Sequence, residues 1–206
     1  TAVYKYQLAD NEKLKISFLN SNDKLAFVLN EPLRQDPSIR GAFSNTISFF
    51  RVVPAWEKQF DADNLLKMSF AYGEDKINAT IGDNYFDLQN VSFSARSRWE
   101  HKINEDLNLN TGWDVLHAKT TVGLRLPVSS SEGGISNPIS SGEVRETQVT
   151  VTSNSPGAFA EFDYKINSNL KITPGFRADY FSTTKEFYLL PRLTAQYKID
   201  DSLIYK

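Results

Sequence analysis

The sequence predicts an all-β protein: an antiparallel up-and-down sheet of about nine long strands, of the kind that makes up part of a transmembrane β-barrel. Three observations predict it. Apolar and polar residues alternate over long stretches, aromatic residues are abundant, and one short polar turn phrase recurs at strand ends. Fourteen Phe, nine Tyr and three Trp stand beside 23% charged residues, a mixture suited to strands with one apolar and one polar face.

Taken in chain order, Tyr4, Tyr6 and Leu8 precede a turn at "ADNEK", and Leu14, Ile16 and Phe18 follow it. A further hairpin fits near Asn22 and Asp23. The stretch 46–60, "TISFFRVVPAWEKQF", leads into the turn "DADN", and Leu66, Met68, Phe70 and Tyr72 mark the next strand. Alternation is plainest in "VSFSARSRWEHKI", 91–103, where Val91, Phe93, Ala95, Trp99 and Ile103 share one face. Successive side chains of a strand point to opposite faces, so Arg96, Arg98, Glu100 and Lys102 lie on the other.

Leu107, Leu109, Thr111, Trp113 and Val115 then oppose Asn108, Asn110, Gly112 and Asp114. Downstream, Ala158, Ala160, Phe162, Tyr164 and Ile166 oppose Glu161, Asp163 and Lys165. Leu170 to Tyr180 opposes Lys171, Thr173, Arg177 and Asp179, and Phe187 to Ile199 opposes Arg192, Thr194, Gln196 and Lys198. No helical period competes. Pro174 and Pro191 each remove a ladder donor, so both are expected at bulges or where that donor is not needed.

The connections predict a polarity. Short ones are expected at 9–13, 61–64, 104–106, 167–169 and 200–202, and longer ones at 29–45, 82–90 and 127–155. Alternating short and long connections place all tight turns at one end of the sheet. The stretch "SSSEGGISNPISSG" reads as a surface loop by composition.

Composition narrows the function classes. A net charge of -2 argues against nucleic acid held on a basic surface. The absence of Cys excludes disulfides and thiolate metal sites. No run of about 18 apolar residues could cross a membrane as a helix. The chain begins at Thr1 with no signal peptide, which predicts a processed chain or an excised segment. His101 and His117 lack the spacing of a shared metal site, and neither a nucleophile elbow nor a Gly-rich phosphate loop is present. No catalytic residue, metal or cofactor is therefore predicted.

Alternation alone is equally compatible with a soluble sandwich, a small closed barrel or an adhesin-like surface protein with a binding role. Strands of about 10–14 residues favour a bilayer crossing, which needs about 9–11 when tilted. So do the charged residues of the polar face, which suit the lumen of a wide barrel. So too do aromatic and amphipathic rings placed near the short turns: Tyr6, Trp99, His101, Tyr164 and Tyr197.

The phrases "LKITPGFRAD", Leu170 to Asp179, and "PRLTAQY", Pro191 to Tyr197, are separated by a brief loop and followed by another short turn. Together with the hairpin "RWEHKINEDLNLNTGWDV" they resemble the carboxy-terminal half of TonB-dependent outer-membrane receptors of Gram-negative bacteria. The resemblance covers most of the chain from about residue 46. It implies a wall of a barrel of about 22 strands with a plugged lumen, set in the bacterial outer membrane, with the lipid bilayer as one partner. It further implies active import of a scarce small-molecule ligand of siderophore, cobalamin or sugar type. The energy would come from a TonB-type coupling protein acting through a plug. Residues 1–206 are then one incomplete barrel segment, with plug, TonB box and remaining strands absent.

On that resemblance the ligand-facing candidates are Arg96, Asp114, Asp179 and Arg177, inside the barrel towards the long-loop end. Arg98, Glu100, Glu161 and Arg192 are expected as structural interior charges, with Glu161, Arg177 and Arg192 forming a ladder across three consecutive strands.

Overall fold

The computed structural model describes residues 1–29, 41–127, 144–198 and 204–205. Among them every regular element is a strand. In chain order these are β1 (Ala2–Ala9), β2 (Glu12–Leu29), β3 (Gly41–Gln59), β4 (Asn64–Ile81), β5 (Asn84–Lys102), β6 (Leu107–Pro127), β7 (Val144–Lys165), β8 (Leu170–Phe181), β9 (Glu186–Lys198) and the two-residue β10 (Ile204–Tyr205). Each pairs antiparallel with the next, and the order in the sheet is the order in the chain. Nine long strands and a short tenth thus form one up-and-down sheet, open at β1 and β10.

The sheet has no second layer. Ala95 is the one buried hydrophobic residue among those described, while Trp113, Phe162, Phe176 and Leu193 are exposed. The accessible surface is 14428 Å²; a compact monomer of 23.3 kDa exposes about 9,700 Å². A sandwich would bury one face of each sheet against the other, so the soluble-sandwich alternative does not describe this chain. A single curved layer exposing Phe, Trp and Leu needs an apolar medium on that side.

Directly paired residues share a face, so the register reads as horizontal rows. One row runs Phe18, Val52, Tyr72, Phe93, His117 and Asn154. The row nearer the short turns through Ala95, Val115 and Pro156 is apolar. Two rows above Phe93, the same face carries Asn22, Ser48, Lys76, Gln89, Thr121 and Thr150, all polar. On the opposite face at that height a row runs Asp23, Ile47, Ile77, Leu88, Val122 and Val149. The apolar residues of β3 to β7 therefore change face at about Phe50, Glu74 and Val91.

This inversion corrects four expectations. The strand β2 continues through Asn22 and Asp23, so no hairpin forms there. Residues 84–90 belong to β5, and the connection before them is the two-residue turn Gly82–Asp83 with Gly82 at φ 56°, the left-handed backbone that primed hairpin turns require of a first residue. Residues 144–155 are strand β7, not loop. Each time a one-residue shift in the apolar pattern resembles the end of a strand, whereas the chain stays extended and only its surroundings change. Of the expected connection 29–45, residue 29 is likewise strand in β2 and residues 41–45 are strand in β3; the remainder of the expected long connections, 30–40 and 128–143, lies outside the described residues, as does the expected turn at 200–202.

From Val91 to Ile103 the outward apolar band is 13 residues along the chain. At about 3.3 Å per residue and a tilt near 45°, this spans about 28 Å, the thickness of a bilayer's hydrocarbon.

The short turns explain the recurring sequence phrase. Asn104 Oδ1 accepts the Asp106 N–H at 2.9 Å, and Asn167 Oδ1 accepts the Asn169 and Leu170 N–H groups at 2.9 Å. Ile103 N–H and Ile166 N–H close their turns on the carbonyls of Leu107 and Leu170, both at 2.9 Å. The Lys before each Ile has a different task. Lys102, Lys165 and Lys198 donate their backbone N–H to Asp63, Asp106 and Asn169 in the preceding turn, each at 2.8 Å. Together with Gln59 N–H on Asn11, these bonds latch each described turn at this end of the sheet to the next hairpin.

Both prolines sit where a donor is dispensable. The β7–β8 pairing skips from Glu161–Gly175 to Tyr164–Ile172, leaving Pro174 opposite the gap. Pro191 pairs with Phe176 on β8, and its other side is beyond the short β9–β10 pairing.

Candidate functional site

The polar face of the lower sheet carries the candidate site. Clefts of about 820, 450 and 330 Å³ open on it. The first touches β1 through β5 and the second reaches from Arg96 on β5 to Arg192 on β9. Clefts joining such separated strands show that the sheet curls towards this face, so the charges line the hollow side.

Arg96, Asp114, Gly157 and Asp179 form one row across β5 to β8. Arg177 Nη1 and Nη2 donate to Asp114 Oδ2 and Oδ1 at 2.8 and 2.9 Å, and its Nε donates to Asp179 Oδ2 at 2.8 Å. Asp114 is on β6 and Arg177 on β8, so the side chain passes over β7. Gly157 makes this possible, since a Cβ there would overlap Asp179 Oδ1 and lie 2.6 Å from Arg177 Nη2. Three of the four predicted ligand-facing residues are therefore joined to one another. Arg96 stands beside them with no hydrogen bond among the described residues.

The predicted height needs refinement. Asp179 is near the upper end of β8, whereas Arg96 and Asp114 are midway along the longer β5 and β6.

The other predicted interior charges separate into two groups. Arg98 Nε and Lys67 Nζ approach Glu100 Oε1 at 3.2 and 2.9 Å. Arg192 Nη1 lies 3.6 Å from Glu161 Oε1. The expected ladder of Glu161, Arg177 and Arg192 holds only for Glu161 with Arg192, because Gly157 lets Arg177 reach the carboxylates of Asp114 and Asp179.

Sequence reading missed a second network higher up. Arg51 Nη2 donates to Asp75 at 2.6 and 2.7 Å, Asn90 Nδ2 donates to Asp75 at 3.1 Å, and Thr120 Oγ1 donates to Asn90 at 2.9 Å. Gly73 faces Arg51 in register, and a Cβ there would lie 2.6 Å from Arg51 Nη1. The legible signal was a repeated pairing: Arg98 faces Gly112 and Arg192 faces Gly175 in the same way. A missing side chain lets a guanidinium lie along the sheet.

On the opposite face, Tyr6, Trp99, Tyr164 and Tyr197 are exposed. The rings of Trp99 and His101 stack at 5.3 Å, and His101 Nδ1 is 2.8 Å from Asn64 Oδ1. No group of three or more metal-ligating side chains gathers among the described residues. In the short turn of β3 and β4, hydrogen bonds from the Asn64 side chain and the Asp63 N–H hold the Asp61 carboxyl below its ordinary value.

The family model "TonB dependent receptor-like, beta-barrel" matches residues 5–205. The chain belongs to this family. Such a receptor barrel resides in the bacterial outer membrane, and the family points to transport or reception rather than an enzyme. Two solved structures share the fold of this TonB-dependent receptor barrel. The ferric-catecholate import receptor Fiu of E. coli K12 is 11% identical with a TM-score of 0.63, covering 97% of this chain and 37% of Fiu. The siderophore receptor PiuA of Acinetobacter baumannii is 11% identical with a TM-score of 0.61, covering 97% of this chain and 39% of PiuA. The chain spans under two-fifths of either neighbour. No curated protein matches its sequence.

Proposed function

We propose that residues 1–206 are one barrel segment of an outer-membrane active transporter that imports a scarce ligand of siderophore, cobalamin or sugar type. A TonB-type protein supplies the energy through a plug elsewhere in the polypeptide. The observation that carries this reading is a family match from residue 5 to 205 on a single-layer sheet with a charged hollow face and an apolar outer face. Tyr6, Trp99, His101, Tyr164 and Tyr197 sit at headgroup level on the short-turn side, where amphipathic rings are stable. Arg98, Glu100, Glu161 and Arg192 brace the wall, and Arg177 is held by Asp114 and Asp179. Arg96 is the member of the quartet most available to a ligand.

The test is uptake by cells lacking the gene, with labelled ferric siderophores, cobalamin and oligosaccharides, in backgrounds with and without a functional TonB. Loss of energy-dependent uptake of one ligand, restored by the gene, is expected. Unchanged uptake of every ligand class would overturn the reading.

A further inference from the structure

The sheet is stepped at its upper end, and the step leaves one strand edge open. β8 ends at Phe181 and turns back through 182–185 into β9, with Lys185 at φ 60°. β7 rises past that turn, and its residues 144–153 pair with residues 118–127 of β6 on one side. On the other side no described strand pairs with them, since the β7–β8 register ends at Gly157–Asp179. Residues 144–152 are all exposed.

The last bonds between β7 and the β8 turn fix which backbone groups this edge presents. The Asn154 carbonyl accepts the Ser182 N–H at 3.0 Å, and the Asn154 N–H donates to Ser182 Oγ at 2.7 Å. Asn154 therefore points both groups away from β6. Direction alternates along a strand, so Val144, Glu146, Gln148, Thr150 and Thr152 point theirs the same way. Each of these residues offers an N–H and a C=O, at a repeat of about 6.8 Å. Natural edges of this length are blunted by proline, lysine or a bulge. The stretch "VRETQVTVTS" has neither Pro nor Lys, and its register with β6 is unbroken. It stands above the row of His117 and Asn154, where the outward face becomes polar, so the bilayer does not cover it.

We infer that the upper edge of β7 is a docking site for an extended segment of another polypeptide, which adds to the sheet as a further strand. It docks on the side of the bilayer away from the short turns. Evenly repeated donor and acceptor groups match the repeat of another extended backbone, and the flanking side chains choose its sequence. On the hollow face the segment meets Val149 and Val151, 54% and 47% exposed. On the outward face it meets Gln148, Thr150 and Thr152. A segment alternating β-branched and polar residues fits both faces, and it needs little net charge because Arg145 and Glu146 cancel. A second copy of this chain does not fit. Two copies in one membrane bring their β7 edges together through a half-turn about the membrane normal. Strands tilted by about 45° then cross at about 90° instead of running side by side. The inference is independent of the imported ligand and of its energy source.

The probe is the peptide VRETQVTVTS with blocked termini and a fluorescent label, whose alternation suits both faces of the edge. The full-length receptor carrying this chain is purified in a neutral detergent. Binding is followed by fluorescence anisotropy and by hydrogen exchange of residues 144–153. Saturable binding that slows exchange in this stretch is expected. Thr150→Pro removes an edge-directed N–H and leaves the ladder with β6 intact. It should weaken binding at least tenfold with the thermal midpoint of the receptor unchanged. Two N-methylated peptides make the test independent of that variant's folding. Methyl groups on alternate amides of one parity should abolish binding, and those of the other parity should leave it. Absence of saturable binding, equal affinity in folded Thr150→Pro, or equal behaviour of the two methylated peptides overturns the proposal. So does binding that leaves exchange in 144–153 unchanged, because the peptide then sits elsewhere. A receptor dimer that Thr150→Pro dissociates would overturn it in favour of a second copy.

Discussion

The Arg177 guanidinium passes over β7 and clasps Asp114 through two hydrogen bonds of 2.8 and 2.9 Å. It does so because residue 157, which pairs with Asp114 on β6 and with Asp179 on β8, is glycine. Gly157→Ala should therefore push the guanidinium away, at the cost of about 1–3 kcal/mol typical of an overpacked site. Gly123→Ala is the matched control, since a Cβ there meets nothing closer than 3.7 Å. Denaturant midpoints in micelles should fall for the first and stay within error for the second.

The clasp itself stabilises only modestly. The Arg177 and Asp114 side chains keep 35% and 29% exposure, which places the pair nearer the surface range of about 0–1 kcal/mol than that of a buried ion pair. A double-mutant cycle with Arg177→Gln and Asp114→Asn should give a coupling on the order of 1 kcal/mol, with the double variant less destabilised than the sum of the singles. Strict additivity would show that the bonds contribute nothing to folding.

The turn at Asn167 makes a sharper local prediction. Its Oδ1 holds two backbone N–H groups, so Asn167→Ala should destabilise by about 1 kcal/mol. Lys165→Ala should be nearly silent, because the latch to Asp106 uses the backbone N–H. Lys165→Pro should break that latch and lower the refolding yield.

Acid sensitivity has a local source in Asp61. Its carboxyl is lowered by the Asn64 side-chain and Asp63 backbone hydrogen bonds. A lowered folded value means that the group contributes stability above its unfolded value, about pH 3.9, and loses it as pH falls through the lower folded value. Asp61→Asn should therefore flatten the part of the stability profile below about pH 4 and lower stability at neutral pH, where the contribution of the carboxylate is lost. An identical acid limb in parent and variant would remove Asp61 from the explanation.

The inversion of faces predicts a depth-dependent tolerance. Val115→Arg places a cation on the outward face within the apolar band, where it should cost about 2–4 kcal/mol near the bilayer centre and less towards its edge. Thr121→Arg lies on the same strand and face, six residues higher and above the inversion, and should cost close to nothing. Folding titrations into liposomes separate the two.

The sequence by itself determined the strand class, the antiparallel order, the short turns and which face of the lower sheet is charged. All of these follow from a period of two and from local turn chemistry, which neighbouring residues express. Tertiary structure alone decided where strands continue past a change of face. Asn90 and Asn22 mark that boundary, and from sequence they read as loop or hairpin because the apolar pattern slips by one position. It also decided which charges meet. Arg177 could be placed on the inner face but not assigned to Asp114, 63 residues away, because that choice depends on register across three strands and on the gap left by Gly157.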